Sequence, residues 1–214
     1  MGNKLNMNFF KKLVIDFSYK LHVRNTEVLM GNKIIEINNF NHKNAIIGIH
    51  TRIFEEAKIC NHLNDRTKIV IGENTDIRGE LMLFGHAGEI IIGDYCFVGE
   101  NSKIWSAKKI VIGNRVLISH NVNIHDNNSH PTDKNLRHED FKHIKNLGLQ
   151  KINDLNEKQV IIGDDCWIGF NSTILKGVTI GKSVIIGANT LVTKDVPDFA
   201  VCVGNPMKII KYSK

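Results

Sequence analysis

The sequence predicts an all-β solenoid of short strands, on three observations. Ile162, Ile168, Ile174, Ile180, Ile186 and Val192 fall every sixth residue without a slip. Two positions before each stands a residue that is mostly small or β-branched (Val160, Cys166, Ser172, Val178, Val184, Thr190), and Gly follows at Gly163, Gly169, Gly181 and Gly187. The run from Gly93 to Ser102 (GDYCFVGENS) returns from Gly163 to Ser172 as GDDCWIGFNS. Six residues turn an α-helix by about 600°, leaving the face about 240° from its start, and a plain strand alternates every second residue. A period of six fits a chain that turns a corner at each hexad. Three hexads then close one triangular coil, with one aliphatic per side pointing inward. Glycine is expected to relax many of the bends.

Taken in order, residues 1–33 are not hexads. Phe9, Phe10, Leu13, Phe17 and Leu21 recur at helical spacing with Lys11, Lys12, Asp16 and Lys20 between them, which predicts an amphipathic helix capping the solenoid. It is too short and too charged to span a membrane, and no small-residue cleavage site follows. Its lysines are candidates for a peripheral contact with anionic lipid. The solenoid is expected over 34–196. Ile47, Ile53 and Ile59 are in phase, then Ile71, Ile77 and Leu83, then Ile92, Val98 and Ile104, then Ile112, Ile118 and Ile124. Each group restarts after a slip, near Asn64–Lys68, His86–Glu89 or Ala107–Lys109. A long loop is expected over 125–159, where the period vanishes. With six Lys/Arg and six Asp/Glu between Asp126 and Gln159 it is no basic arm, and a long excursion from a strict solenoid marks a binding face. Residues 197–214 form a short tail.

A chain of 214 residues suffices for one continuous core. Cys60, Cys96, Cys166 and Cys202 are far apart and form no CxxC; they read as small buried thiols of a cytoplasmic protein. The net charge of +6 favours an anionic partner without choosing among coenzyme A, an acidic glycan and nucleic acid.

The repeats resemble those of the hexapeptide-repeat acyltransferases, which implies a left-handed parallel β-helix. The resemblance narrows at three places: Ile118-Ser119-His120-Asn121 through Ser129-His130-Pro131, the Cys166-Trp167-Ile168-Gly169 step, and Thr193-Lys194-Asp195 to Gly204-Asn205-Pro206. Together they look like the maltose/galactoside and polysaccharide O-acetyltransferases, particularly the branch that decorates capsule or lipopolysaccharide sugars, some containing sialic acid. The similarity covers roughly residues 65–212. It implies an acetyl-CoA-dependent sugar O-acetyltransferase with His130 as general base. Gly169, Ala188, Thr193, Lys194 and Lys208 match the family's cofactor positions, and Met207 stands where many relatives carry Ala or Cys. Trp167 matches a residue at the acceptor or pantetheine channel, and it is equally suited to an oligomer contact. The resemblance also implies a homotrimer with active sites between subunits; no nucleic acid partner is expected.

The chemistry of the residues agrees with that role for His130. A sugar hydroxyl needs a base to become a competent nucleophile, and a neutral imidazole can take its proton and return it to the leaving thiolate. The other ring nitrogen needs an acceptor, for which Asp126 and Asn128 are both candidates. No cysteine lies near the loop, so direct transfer is the economical scheme. His120 and His125, spaced His-x4-His with His86 upstream, also resemble the metal ligands of γ-class carbonic anhydrases. That class does not call for the His-Pro opening or the Gly-Asn-Pro tail, so no metal is expected and both histidines stand as acceptor-cleft candidates. Two alternatives remain beside the acetyltransferase: a γ-type metal hydratase, and a catalytically silent solenoid serving in assembly.

Overall fold

A computed structural model describes residues 41–147 and 155–213. The N-terminal helical cap and its lipid contact, both expected within 1–33, lie outside the described residues. Among the described residues no helix is long and apolar enough to cross a membrane.

Three sheets of six, eight and six strands run the length of the solenoid, one on each side of a triangular coil. Sheet A stacks Ile46–Ile47, Ile69–Ile71, Ile90–Ile92, Ile110–Ile112, Val160–Ile162 and Thr179–Ile180. Sheet B stacks Arg52–Ile53, Asp76–Ile77, Phe97–Val98, Leu117–Ile118, Trp167–Ile168, Ile185–Ile186 and Ala200–Val203, and ends in Lys208–Tyr212, which returns antiparallel. Sheet C stacks Lys58–Asn61, Glu80–Leu83, Lys103–Ser106, Asn123–His125, Thr173–Ile174 and Leu191–Val192. All other pairings in the three sheets are parallel, as successive turns of one winding require.

The six-residue period survives as columns of inward side chains. Ile71, Ile92, Ile112, Ile162 and Ile180 align in sheet A, and Ile77, Val98, Ile118, Ile168 and Ile186 in sheet B, all essentially inaccessible to water. Each such isoleucine contributes about 1.5–3 kcal/mol by leaving water. The small residues two positions earlier are buried as well, and their polar atoms reach the next coil. Ser102 Oγ donates to Ser119 O at 2.6 Å, Ser172 Oγ to Gly187 O at 2.9 Å, and the Cys166 thiol to Gly181 O at 3.0 Å.

Two expectations need correction. Leu83 is buried, but the residue that continues the column of Ile59 and Ile104 in sheet C is Leu81. The step from Ile77 to Leu81 takes four residues, where Ile53 to Ile59 and Val98 to Ile104 take six, so the second coil cuts its B–C corner short. The glycines do not serve mainly to relax bends. The left-handed backbone positions at the corners are filled by Tyr95, Asn101, Arg115, Asn121, Asp165, Asn171, Ser183 and Asn189 instead. Gly163 is required by contact: a Cβ there would come within 2.8 Å of Gly181 C and Lys182 N in the next coil.

The insertions that reset the repeat all fall at the C–A corner. From the inward residue of sheet C to that of sheet A the chain takes twelve steps (Ile59 to Ile71), eleven (Leu81 to Ile92), eight (Ile104 to Ile112) and thirty-eight (Ile124 to Ile162), before settling to six (Ile174 to Ile180). The stack is undisturbed, because a corner can bulge outward while its two flanking strands keep register. The large excursion is not wholly a loop, as expected, but carries a helix, α1, over Lys134–Leu147.

Candidate active site

Helix α1 is unusual for what it leaves in solvent. Among its described side chains Asp140 alone is buried; Ile144 is half-buried and the others are exposed. A helix this poor in apolar contacts cannot be held by burial of a hydrophobic stripe. Local polar contacts tie it down. The Asp133 carboxylate caps its start, accepting from the backbone N–H of Asn135 and Leu136 at 2.9 Å each. Arg137 reaches back to donate to the carbonyls of Pro131 (3.2 Å) and Thr132 (2.9 Å). One turn further on, Asp140 meets His130.

His130 Nδ1 lies 2.6 Å from Asp140 Oδ2. An ionised carboxylate only accepts, so the ring hydrogen sits on Nδ1 and the lone pair is left on Nε2. The Asp140 side chain is wholly inaccessible, whereas that of His130 is 50% exposed. A reactant can therefore reach the imidazole but not the group that orients it. Asp140 Oδ1 finds no protein partner among the described residues, which leaves the imidazole as this buried carboxylate's hydrogen-bonding partner.

Neither candidate orienting group touches His130. Asp126 is buried at the root of the excursion, accepting from Ser106 Oγ (2.6 Å), Ala107 N (2.8 Å), Lys108 N (2.9 Å) and Asn127 Nδ2 (2.9 Å). With its oxygens engaged by the preceding coil, it pins the outgoing limb. Asn128 accepts from Lys176 Nζ on the following coil. The two limbs are tied by Asn128 N to Leu155 O and Lys158 N to Asp126 O, and His86 Nε2 bonds Glu157 Oε1 at 2.8 Å on the return limb. Asp140 gave no sequence signal of its own. Asp133 as a cap, followed by Leu136, Asp140 and Ile144 at four-residue spacing, was the pattern that could have found it.

The other candidates are dispersed around the prism. His120 lies at the B–C corner, its ring stacked on Phe170 with centroids 5.2 Å apart. His125 ends a strand of sheet C, tilted against Trp105 at 5.1 Å, and burial pushes its pKa below the ordinary histidine value. His86, His120 and His125 thus each have separate partners. Among the described residues no group of three or more His, Cys, Asp or Glu stands together as a metal site. Trp167 projects from sheet B in register with Leu117 and Phe97, its Nε1 donating to Ser119 Oγ at 3.4 Å. Gly169 and Ala188 stack directly at the B–C corner, where a Cβ on Gly169 would lie 2.6 Å from Ala188 N. Thr193 and Lys194 are exposed at the C–A corner of the last coil, and Lys208 opens the exposed closing strand. The structure therefore brings Gly169 and Ala188 together, puts Thr193 and Lys194 at a different corner, and pairs Lys208 with Val203, whose side chain faces Gly187. Burial raises the thiols of Cys60, Cys96 and Cys202, and that of Cys166 to about 11. This makes all four poor nucleophiles at neutral pH.

Comparison with known proteins adds three kinds of likeness. A family described as the hexapeptide repeat of succinyl-transferase matches residues 89–125 and 159–194. WbbJ of Escherichia coli strain K12, named for O-acetyl transfer in lipopolysaccharide biosynthesis, is 34% identical over 158 residues, 71% of this chain and 75% of its own. The galactoside O-acetyltransferase of the same strain is 32% identical over 141 residues, 66% of this chain and 62% of its own. Among these and further curated relatives the chain spans from 32% to 75% of their length. Among solved structures, a point mutant of AntD, an N-acyltransferase from Bacillus cereus in complex with dTDP and coenzyme A, superposes with a TM-score of 0.65. It shares 20% identity over 83% of this chain and 88% of its own, a likeness of fold.

Proposed function

The chain belongs to the hexapeptide-repeat acetyltransferase family, and on that premise we propose that it moves an acetyl group from acetyl-CoA to a hydroxyl of a sugar or surface polysaccharide. The observation that carries the proposal is the contact between His130 and Asp140: an accessible imidazole, held in one tautomer by a buried carboxylate, on the one large excursion of the solenoid. Capsule and lipopolysaccharide sugars, including those with sialic acid, are the acceptors we favour. The enzyme would act in the cytoplasm with its coils wound left-handed, as the family resemblance implies.

In the proposed reaction His130 Nε2 takes the proton of the acceptor hydroxyl as its oxygen attacks the thioester carbonyl. Asp140 steadies the imidazolium that forms, and His130 returns the proton to the sulfur as the C–S bond breaks, giving the acetyl ester and free thiol. No residue of the chain is acylated, in keeping with the buried, high-pKa cysteines. Gly169 and Ala188 offer a side-chain-poor edge for a thin pantetheine arm, and Lys194 and Lys208 offer cations to its phosphates.

We place the working site between copies of the chain in a homotrimer. The outward column of sheet A is Ile46, Val70, Ile91, Val111, Ile161 and Thr179, and sheet B presents Phe97, Leu117, Trp167 and Ile185 after the ion-paired Arg52 and Asp76 of its first two coils. Sheet C presents Lys58, Glu80, Lys103, Asn123 and Thr173. Two largely apolar faces beside a mixed one, where Cys60, Met82 and Trp105 also lie on the outer side of sheet C, suit a ring in which sheet A of one copy meets sheet B of the next. His130 leaves the C–A corner while Trp167 stands on sheet B, so a site using both draws on two copies. A screen of thiol release from acetyl-CoA against capsular and lipopolysaccharide sugars tests the activity. No acceptor-dependent release with any of them, in protein that binds acetyl-CoA, rejects it.

A further inference from the structure

The short B–C corner of the second coil leaves a notch. Between the full corners of the first and third coils lies a cavity of about 240 Å³ lined by Glu56, Lys58, Arg78, Glu80, Asn101 and Lys103. Its floor is Gly79, where a Cβ would strike Ser102 O at 2.6 Å, so the short corner lies flat against the coil below. Arg78 is ion-paired with Glu56, and its guanidinium also lies over Phe54 at 5.2 Å. Glu80 stands between Lys58 and Lys103 in the ladder of sheet C, and none of the three forms an ion pair with another described residue. Two ammonium groups and a carboxylate are thus left to donate to and accept from a ligand, with Asn101 at the rim. The set matches a sugar ring, whose neighbouring hydroxyls need acceptors and donors together.

The notch does not stand alone. Lys103 Nζ lies over the Trp105 ring at 5.2 Å, and Trp105 carries His125 against it on the next coil. Trp105 packs against the cluster of Met82, Phe84, Ala107 and Leu155, and both it and His125 are half-buried, leaving part of each ring at the surface. The chain leaves sheet C directly after His125 on the excursion that holds His130. A strip of polar groups and aromatic faces therefore runs from the notch to the root of the catalytic loop. Outward residues two apart on one strand are separated by about 7 Å, so the strip outruns one pyranose ring.

From this we infer that sheet C binds the acceptor as a chain of sugars, one unit in the notch and others across Trp105 and His125, so that the substrate is an oligo- or polysaccharide rather than a free monosaccharide. The inference rests on the reading of the acceptor as a sugar, and its test needs no acetyl transfer. Immobilised neutral and acidic mono- to hexasaccharides are probed with the wild-type chain and with Glu80→Ala/Lys103→Ala, both without acetyl-CoA. Glu80→Gln/Lys103→Gln, which keeps side-chain bulk, serves if the alanine variant loses its unfolding transition. The expected result is retention of some oligosaccharide at least about tenfold above its monosaccharide, the scale of one or two charged hydrogen bonds, and loss of that preference in the variant. Equal retention of both lengths, no retention of any sugar, or a preference that survives the variant overturns it. Thiol release from acetyl-CoA in the same preparations reports separately on the acetyltransferase reading.

Discussion

His130 and Asp140 are ten residues apart in the chain and 2.6 Å apart in space, joined by a helix in which Asp140 is the one fully buried side chain among those described. The helix carries that carboxylate to the histidine. Its cap at Asp133 and the Arg137 clasp on Pro131 and Thr132 fix the angle at which Asp140 arrives.

The first prediction separates the base from the group that orients it. His130→Ala should lower kcat by about two to four decades with acetyl-CoA binding intact. Asp140→Asn should lower kcat by about a hundredfold, because an amide can present its N–H to the ring and favour the wrong tautomer. Asp126→Asn should act differently, lowering the unfolding midpoint in urea, since its oxygens serve Ser106, Ala107 and Lys108. If Asp140→Asn retains full turnover, the carboxylate is a structural feature of the helix alone.

The inward columns were legible in the sequence because each hexad commits one position to the core, and six consecutive matches fix the phase from Ile162 to Val192. Helix α1 was not, for the complementary reason: a segment with one buried side chain has no apolar period to read. The orienting role went by proximity to Asp126 and Asn128, four and two residues from His130, while a turn of helix brought Asp140 closer. The notch at Gly79 is equally hidden in the sequence, since Leu83 keeps the six-residue count from Ile77 that Leu81 breaks in space. A period identifies what repeats, and both of these features are departures from it.

Gly163→Ala should destabilise the protein by about 1–3 kcal/mol, the usual cost of forcing extra volume into a packed region. The added methyl meets backbone atoms at Gly181 and Lys182, which cannot rotate aside. Equilibrium unfolding in urea measures this; a shift below about 0.5 kcal/mol, the level of ordinary surface changes, would mean the coils part freely.

Stability should fall as pH drops below about 6.5, the ordinary histidine value, and His125 should account for part of the loss. Its pKa is lowered in the folded protein by burial against Trp105. Above 6.5 both folded and unfolded forms are neutral there and no penalty exists. Below it the unfolded chain takes up a proton that the folded site refuses, and the loss grows until the folded pKa is passed. His125→Gln should flatten that part of the pH–stability curve. An unchanged slope would show that other histidines carry the effect.

Lys194→Ala and Lys208→Ala should each raise KM for acetyl-CoA more than they lower kcat, since they would remove binding shared by ground and transition states. Both side chains are exposed, on the last coil and the closing strand. Initial-rate kinetics over a range of acetyl-CoA decide it. An unchanged KM in both variants would move the cofactor to other coils.

The last prediction concerns the partner. Light scattering should give three times the 24.2 kDa chain mass, and mixing two dead variants should restore activity. The geometry behind it is the separation of His130, at the C–A corner, from Trp167 on sheet B and from Gly169 and Ala188 at the B–C corner. One prism presents these on different sides, and a thioester must be shielded from water while two reactants are held in attack geometry. A second prism alongside supplies the missing wall. His130→Ala mixed with Ala188→Trp, a variant that crowds the cofactor edge, should form trimers in which some interfaces pair an intact His130 with an intact Ala188. Random assembly then returns a measurable fraction of wild-type rate after refolding together. A fully active monomer, or no rescue from mixed trimers, would leave the site within a single chain.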